Sequence, residues 1–295
     1  MKLTDLPEDE IVASLLKVVP FLKKAPAPVG DDCAAVAIKP KKGLLAVYKT
    51  DCLIEDVHFL RKHSPEKIGW KALCRVLSDF AAMAAHPHYA LITIAAPLDC
   101  DLETLQGIYR GIGKAARKYK VTIAGGETSR SPSGIFISVA GIGSARKKRL
   151  ITRSGGKNDD ILFVTGQLGG SFQGSHLTFT PRLKEAHWLA KNFPIHAMMD
   201  LSDGLAADLP RLAKSCGLGF SVDLEQVPRR PKCTLQNALC DGEDYELLFA
   251  ATPKIARAIE QEWPSAFPRL KLTRIGVLNK DKKNSTNLGS GFQHF

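Results

Sequence analysis

Residues 66–126 read EKIGWKALCRVLSDFAAMAAHPHYALITIAAPLDCDLETLQGIYRGIGKAARKYKVTIAGG, and this stretch indicates the fold class. Residues 66–85 and 101–120 have the apolar spacing of helices, whereas 91–96 and 121–126 are short apolar runs typical of strands. The regular alternation of helix and strand predicts an α/β protein.

Outside this stretch the pattern continues on both sides. Strand-like runs lie at 44–50 and 135–144, and the basic segment 145–160 then interrupts the rhythm before ILFVTG restarts it. We therefore place a boundary near residues 145 to 150 and predict two domains, 1–147 and 148–295.

The second half repeats the alternation without a detectable sequence repeat. A short strand over 197–202 leads into a helix over 203–217, then a strand within 238–252 and a helix over 253–263. The polar segment 279–291 reads as a loop before the aromatic tail FQHF.

The composition of the 295-residue chain is typical of a folded globular protein, with 44% hydrophobic and 24% charged residues. The N-terminal sequence MKLTDLPEDE is acidic and polar, unlike a secretory signal, and runs such as LITIAAPL are too short to span a bilayer. We therefore expect a cytoplasmic protein without a membrane partner.

The spacing of the cysteines and the net charge limit which metals and binding partners we expect. Seven cysteines occur without a CxxC pair, which argues against a disulfide framework and against a structural zinc site. The formal net charge of +11 suits nucleic acid or small polyanions such as nucleotides. Because the basic residues lie in scattered groups without interleaved aromatic residues, we read them as solvated surface and expect no nucleic-acid partner.

The strongest chemical signal is a series of acidic residues at the ends of predicted elements, beside glycine or another small residue. They occur in VGDDCAAV, YKTDCLIEDVHF, VLSDFAAMAAHP, IAGGETSRS, MMDLSDGLAADL and CDGEDYELLFA. A single carboxylate of this kind usually caps a helix or completes a turn, so the interpretation depends on the whole set.

Asp79 resists the capping interpretation because its neighbours on the predicted helix are largely apolar, Val76 and Met83 among them. A carboxylate buried on such a face needs a partner. Arg75 in a plain ion pair and a metal ion are both compatible with the sequence.

Three further oxygen donors lie around one strand-to-helix turn. Asp200 and Ser202 share a face of the predicted strand, and Asp203 follows as an N-cap or as a ligand. Carboxylates and hydroxyls suit Mg2+, which binds through one or two carboxylates together with substrate phosphates. Since the chain has no P-loop, no protein-kinase HRD or DFG set and no GxGxxG turn, we predict phosphate chemistry outside the familiar nucleotide-binding folds.

Taken in order, these motifs resemble the thiamine-monophosphate kinase family, in the superfamily of aminoimidazole ribonucleotide synthetase, selenophosphate synthetase and a hydrogenase-maturation protein. The resemblance runs from VGDDCAAV through KTDCLIEDVHF, IGWKALCRVLSDFAAMAA, GGETSRS, LITRSGGKNDDILFVTGQLGGS, MDLSDGLAADL and GEDYELLF to GFQHF. It implies an α/β architecture of the α+β type with two domains, the N-terminal one joining its sheet to that of a second copy in a homodimeric barrel.

The resemblance also implies an activity and a set of site residues. The chain would phosphorylate thiamine monophosphate to thiamine diphosphate with ATP and Mg2+, by direct in-line transfer without a catalytic side chain. The implied metal ligands are Asp31, Thr50, Asp51, Asp79, Glu127, Asp200 and Asp203. The implied ATP contacts are Tyr109, Gly126, Arg153 and Ser202. The implied thiamine monophosphate contacts are His58, Glu243 and Phe292.

Several positions leave alternatives open. His58 could cap a strand end, Tyr109 could be a core aromatic residue, and Phe292 could belong to a small satellite core. The chain also departs from the family pattern, with Glu127 where the family usually has aspartate and Lys49 where it usually has serine or threonine. Lys49 removes an oxygen donor and adds a cation, which could replace one metal ion or alter substrate use.

Three rival functions follow from these observations. The first is another ATP-using enzyme of the same superfamily. The second is a catalytically weakened protein that binds thiamine monophosphate or ATP, and the presence of Lys49 suggests this alternative. The third is a basic nucleic-acid-binding protein, whose DNA affinity would depend steeply on salt.

Overall fold

A computed structural model describes residues 33–37, 43–282, 285–289 and 291 of the chain. The elements of the first half are β1 (Ala34–Ala37), β2 (Leu44–Ile54), α1 (Pro65–Ala82), β3 (His86–Ala96), α2 (Leu102–Tyr119), β4 (Thr122–Arg130) and β5 (Phe136–Arg146). Those of the second half are β6 (Ile161–Thr165), α3 (Leu183–Asn192), β7 (Ala197–Asp200), α4 (Leu205–Cys216), β8 (Gly219–Val222), α5 (Leu235–Cys240), β9 (Leu247–Ala251), α6 (Pro253–Ala266) and β10 (Leu272–Asn279).

The first sheet has the strand order β1-β2-β5-β3-β4, with β1 and β4 at its edges. β2 and β5 pair antiparallel along their full length, from Leu44 opposite Arg146 to Ile54 opposite Phe136. β3 pairs antiparallel with β5 and parallel with β4, to which α2 forms the connection. Alternate residues of β5 are buried, so one face of the sheet packs inside the protein and the other faces outward.

Helices α1 and α2 cross at glycine residues, so no side chain separates their backbones at the crossing. A Cβ atom on Gly69 would lie 1.8 Å from the Ile108 carbonyl oxygen, and one on Gly111 would lie 1.9 Å from the Glu66 carbonyl oxygen. Only glycine permits this approach. The crossing fixes α1 in position, and α1 buries most of its residues, including the charged Lys71.

The second sheet has the strand order β7-β9-β6-β10-β8, and every neighbouring pair is antiparallel. Strands β6, β7 and β9 are buried at every position, which explains their continuous apolar sequences ILFVT, AMM and LLFAA. Because β7 ends at Asp200, a carboxylate lies at the end of a buried strand.

Helix α1 contacts both halves of the molecule. The Trp70 indole Nε1 donates a hydrogen bond to the Phe179 carbonyl oxygen at 2.9 Å. One turn before the end of the helix, Ser78 Oγ donates to Asp200 Oδ2 at 2.5 Å. The residues that α1 turns toward the second half therefore contribute to any site between the halves.

The predicted α/β architecture is confirmed, but helix boundaries differ from the expected ones. α1 ends at Ala82, three residues early, and Ala84 has a φ of 51°, which a continuing right-handed helix does not allow. α4 begins at Leu205 because Gly204, with a φ of 92°, is its N-cap. In both places one residue in the left-handed region sets the boundary.

The expected strand within 238–252 is wrong in its first part. Residues Leu235–Cys240 form α5, and Thr234 and Asn237 close a capping box at its start. The strand β9 covers only Leu247–Ala251. The capping box was present in the sequence, and the strand interpretation overlooked it.

The division into domains 1–147 and 148–295 stays a prediction, although the expected boundary does fall between β5 and β6. The homodimeric barrel concerns a second chain and also stays a prediction. Across the residues that the structure describes, no helix combines the length and apolar character needed to cross a membrane.

Candidate active site

A cleft between the two halves collects residues from distant segments. Its wall contains His58 from the loop after β2, Ser202 and Asp203 from the loop after β7, and Glu243 from the segment before β9. The family resemblance implied for all four a contact with ATP, metal ions or thiamine monophosphate. Sequence reasoning assigned no site role to the other residues of the wall and named Arg75 only as a possible partner of Asp79. These residues are Val57, Arg75, Phe172, Asp241 and Tyr245.

The loop after β7 is shaped by a carboxylate on the following helix. Asp208 Oδ2 accepts hydrogen bonds from the backbone N–H groups of Ser202 at 3.0 Å and Asp203 at 2.9 Å. Arg211 Nη1 donates to Asp208 Oδ1 at 3.1 Å and also to Asp203 Oδ2. Burial raises the pKa of Asp208 to about 8, and the charge of Asp203 adds to this. Asp208 was overlooked, although an aspartate in the first turn of a helix is a known capping signal.

Asp200 fastens this loop to α1. It is buried at the end of β7, where its Oδ2 accepts the hydrogen bond from Ser78 Oγ. The sequence predicted that Asp200, Ser202 and Asp203 converge, and the structure places the last two in the cleft wall with Asp200 next to them in the chain. The assignment of Asp200 and Asp203 as metal ligands stays a prediction.

The segment before β9 has an unusual backbone. Glu243 and Tyr245 both have a φ of 52°, in the left-handed region that residues with a side chain rarely adopt. Backbone hydrogen bonds hold this shape, from Glu243 N to Ser202 O at 2.7 Å and from Tyr245 N to Leu201 O at 2.8 Å. Backbone strain of this kind concentrates at functional sites, which agrees with the position of both residues in the cleft.

Lys71 lies beneath the cleft wall and forms hydrogen bonds with residues on two sides of it. Its side chain is fully buried, and its Nζ donates to the His58 carbonyl oxygen and to Glu243 Oε2, each at 2.6 Å. Burial lowers the pKa of Lys71 to about 8, although the Glu243 carboxylate opposes this shift. The sequence analysis missed Lys71, whose signal was a lysine inside the apolar run IGWKALC.

A second group of charges lies between β2 and α1. Lys49 Nζ is 2.8 Å from Asp79 Oδ1, and Arg75 Nε is 3.2 Å from Asp51 Oδ2. Arg75 Nη1 also donates to the Cys52 carbonyl oxygen at 2.8 Å. The sequence left an ion pair with Arg75 and a metal ion open for Asp79. The structure shows an ion pair between Asp79 and Lys49, and Arg75 pairs with Asp51. A metal ion at Asp79 stays a prediction.

Other predicted residues lie on the first sheet and its helices. Thr50 is on the outer face of β2, where its Oγ1 is 3.4 Å from Ser138 Oγ. Gly126 and Glu127 are on the edge strand β4, and a Cβ atom on Gly126 would lie 1.8 Å from the Ile92 carbonyl oxygen. This close approach is a structural reason for Gly126, independent of any phosphate.

The remaining predicted contacts are dispersed. Tyr109 lies on α2 and is 40% exposed. Arg153 lies between β5 and β6, where its carbonyl oxygen accepts a hydrogen bond from Cys216 Sγ at 3.1 Å. Asp31 and Phe292 lie outside the described residues. The roles assigned to these residues therefore stay predictions.

The fit of this site to Mg2+ depends on the mode of binding. Among the residues described here, no three histidine, cysteine, aspartate or glutamate side chains form a group that could hold a metal ion. Asp51, Asp79 and Asp203 each form an ion pair with a lysine or arginine. The donors nevertheless have the hard oxygen character that Mg2+ prefers. They fit a metal shared with substrate phosphates, rather than one held by protein alone.

Sequence profiles of AIR synthase related proteins match most of the chain, the N-terminal domain over residues 30–145 and the C-terminal domain over residues 134–287. The thiamine-monophosphate kinase of Rhodopirellula baltica is 36% identical over 265 residues, which covers 84% of this chain and 82% of that protein. The thiamine-monophosphate kinase of Aquifex aeolicus is 34% identical and covers 84% and 85%, respectively.

Solved structures show the same relationship. AaThiL complexed with AMPPCP and TMP has a TM-score of 0.85 at 30% identity, and the match covers 100% of this chain and 99% of that one. A HypE–HypF complex has a TM-score of 0.73 at 19% identity, covering 92% and 93%, which shows a shared fold alone. The chain belongs to the AIR synthase related protein family and, within it, to the thiamine-monophosphate kinases.

Proposed function

We propose that this chain transfers the γ-phosphoryl group of ATP to thiamine monophosphate in the cleft between its two halves. The observation that carries the proposal is the convergence of His58 and Glu243, expected at thiamine monophosphate, with Ser202 and Asp203, expected at ATP and its metal ions. Direct transfer requires both substrates in one place, so a shared cleft supports this reaction. The similar AaThiL structure, complexed with AMPPCP and TMP, supports it as well.

Magnesium is part of the proposal. Bound beside the phosphates, Mg2+ supplies charge neutralisation and alignment of the reacting oxygens. Asp200 and Asp203 would hold it together with phosphate oxygens. The other proposed ligands are Asp31, Thr50, Asp51, Asp79 and Glu127.

The residues of the chain contribute mainly by positioning. Lys71 sets the carboxylate of Glu243 and the backbone of His58 relative to each other through two hydrogen bonds at 2.6 Å. Arg75 lines the cleft and adds positive charge where anionic phosphates would gather. The acceptor is already a phosphate oxygen anion, so no side chain has to remove a proton, and positioning and electrostatics carry the rate.

The resemblance alone supports the remaining contacts. Tyr109, Gly126 and Arg153 would contact ATP, and Phe292 would pack against the rings of thiamine monophosphate. A ring contact of this kind is worth about 1 kcal/mol of binding. Phe292→Ala should therefore raise the KM for thiamine monophosphate several-fold and leave the KM for ATP unchanged.

Product analysis tests the proposed reaction. Purified protein incubated with ATP, thiamine monophosphate and a series of magnesium concentrations should release thiamine diphosphate and ADP in equal amounts, and only with a divalent cation. No product at any magnesium concentration would contradict the proposal. Binding of both substrates without turnover would favour the weakened binding protein.

A homodimer is the proposed assembly. Tyr48 on β2 and Tyr89 on β3 both lie opposite Ile142 on β5, so the three form one row across the outer face of the first sheet. Tyr48 is 47% exposed and Tyr89 is 50% exposed. An exposed apolar row on a sheet face marks an interaction surface. Sedimentation velocity should show a dimer for the native chain and a monomer for Tyr89→Asp, with Leu98→Asp as a dimeric control.

A cytoplasmic location completes the proposal. All seven cysteines lie in the described residues, and all are free thiols. A reducing compartment keeps thiols in this state. Fractionation of the source cells would contradict this location if the protein were recovered outside the cytoplasm.

A further inference from the structure

Lys49 places a cation among the predicted metal ligands. A strand turns alternate side chains to opposite faces, so Lys49 and Asp51 share the face of β2 that packs against α1. Asp79 of α1 meets this face, and its Oδ1 is 2.8 Å from Lys49 Nζ. The ammonium group of Lys49 therefore contacts the helix carboxylate Asp79, and Asp51, which pairs with Arg75, lies two residues along the same strand face.

The ion pair between Lys49 and Asp79 is partly shielded from solvent. The Lys49 side chain is 25% exposed and that of Asp79 is 10% exposed. The Asp79 carboxylate thus contacts a positive charge that belongs to the protein itself.

The Lys49 ammonium group gives Asp79 the nearby positive charge that a bound divalent ion would otherwise provide. Mg2+ is commonly held by one or two carboxylates, and a lysine ammonium is likewise a compact positive charge. Lys49 Nζ already lies against Oδ1, one of the two oxygens that the Asp79 carboxylate could offer to a metal ion. A hydroxyl side chain at position 49 would leave that oxygen accessible and add a donor of its own.

We propose that Lys49 is a built-in cation that takes the place of one divalent ion at Asp79 and Asp51. The protein then binds ATP with one metal ion fewer than a variant with a hydroxyl at position 49. Lys49 is therefore a positioning residue, because it orients the Asp79 carboxylate in place of a bound metal ion. The inference rests on the proposed function only in placing ATP and its metal ions in this cleft.

Counting bound metal ions tests the inference without turnover. Manganese is titrated into protein saturated with AMPPCP, and free Mn2+ is followed by electron paramagnetic resonance. Lys49→Thr and Lys49→Met should each bind about one more Mn2+ per chain than the native protein, with the tighter binding in Lys49→Thr. Lys148→Thr removes an exposed lysine of the same half and should keep the native number.

A second readout is the magnesium dependence of turnover. Lys49→Thr should need a higher magnesium concentration for half-maximal activity and show a steeper dependence, because an added ion must bind. A purely structural lysine would change stability without changing either property. Thermal melting confirms that the variants are folded, and Lys49→Met carries the test if Lys49→Thr does not fold.

The outcomes separate this inference from the proposed function. Equal manganese numbers in the native protein and in the folded Lys49 variants would overturn the inference, even with full kinase activity. An added manganese ion in the variants of a protein that forms no thiamine diphosphate would support the inference and contradict the proposed reaction.

Discussion

Asp79 in the first half and Asp203 in the second are both predicted metal ligands, and their ion pairs are built differently. Asp203 pairs with Arg211 on the next helix, and Asp208 of the same helix holds the Asp203 backbone at 2.9 Å. Asp79 pairs with Lys49 on a strand that lies much earlier in the chain. The first arrangement needs one loop and one helix, whereas the second exists only after sheet and helix have packed.

This difference decides what happens when a carboxylate loses its charge. Without the charge of Asp203, Arg211 still has Asp208 as a partner at 3.1 Å. Without the charge of Asp79, Lys49 loses the carboxylate that it contacts at 2.8 Å. We therefore expect Asp203 substitutions to affect chemistry and Asp79 substitutions to affect stability as well.

The largest expected effect is on turnover in Asp203→Asn. The substitution keeps the volume and removes a charge from the loop that lines the cleft. We expect kcat to fall by roughly 100-fold or more, as for other losses of a group that stabilises charge in the transition state, while the melting temperature stays near the native value. Asp101→Asn, at an exposed N-cap without a side-chain hydrogen bond, is the control. Near-native turnover would remove Asp203 from the reaction.

The next effect concerns the stability of the Lys49–Asp79 pair. Asp79→Asn leaves a largely buried ammonium without its partner and should lower the free energy of unfolding by about 2 kcal/mol. The double variant with Lys49→Met should recover at least half of this loss, because the unpaired cation is also removed. Urea unfolding of both single variants and the double variant gives the coupling energy. Simple additivity of the two single effects would show that the pair is not coupled.

These two carboxylates also show how far the sequence could predict the site. The loop containing Ser202 and Asp203 was predicted because strand, turn and helix signals lie next to one another. Lys49, the partner of Asp79, was not predicted, because their contact depends on the register of β2 and on how α1 is rotated against the sheet. Lys71 was missed for the same reason: its partner Glu243 lies in the other half.

The fold, like the site, has features that the sequence could predict and features that it could not. Apolar periodicity predicted the alternation of helices and strands, because the spacing and the length of an apolar run are properties of the local sequence. The orders of the two sheets depend on contacts between distant segments and were not predicted. Boundaries failed where a single residue adopts a positive φ, as Ala84 and Gly204 do, since this conformation leaves no periodic signal.

A smaller effect is expected where the two halves meet at Lys71. Its pKa is lowered from the ordinary value to about 8, so the ammonium is charged below that pH and neutral above it. As pH rises through about 8, Glu243 loses its charged partner, and the KM for thiamine monophosphate should rise several-fold. Lys71→Met should have a raised KM already at neutral pH and no such dependence. Lys67→Met, at an exposed position of the same helix, should follow the native profile, and a pH-independent native KM would contradict this role.

The smallest effect is expected for the Glu66–Arg110 pair, which joins two elements just as Lys49–Asp79 does. Its N–O distance is 3.2 Å, but the side chains are 53% and 55% exposed. Water screens such charges, and a glycine contact already fixes the two helices. Glu66→Gln should therefore change the free energy of unfolding by less than about 0.5 kcal/mol. Urea unfolding at low and high salt measures this. A loss comparable to that of Asp79→Asn would mean that proximity of charges, rather than their removal from water, decides the strength of ion pairs in this protein.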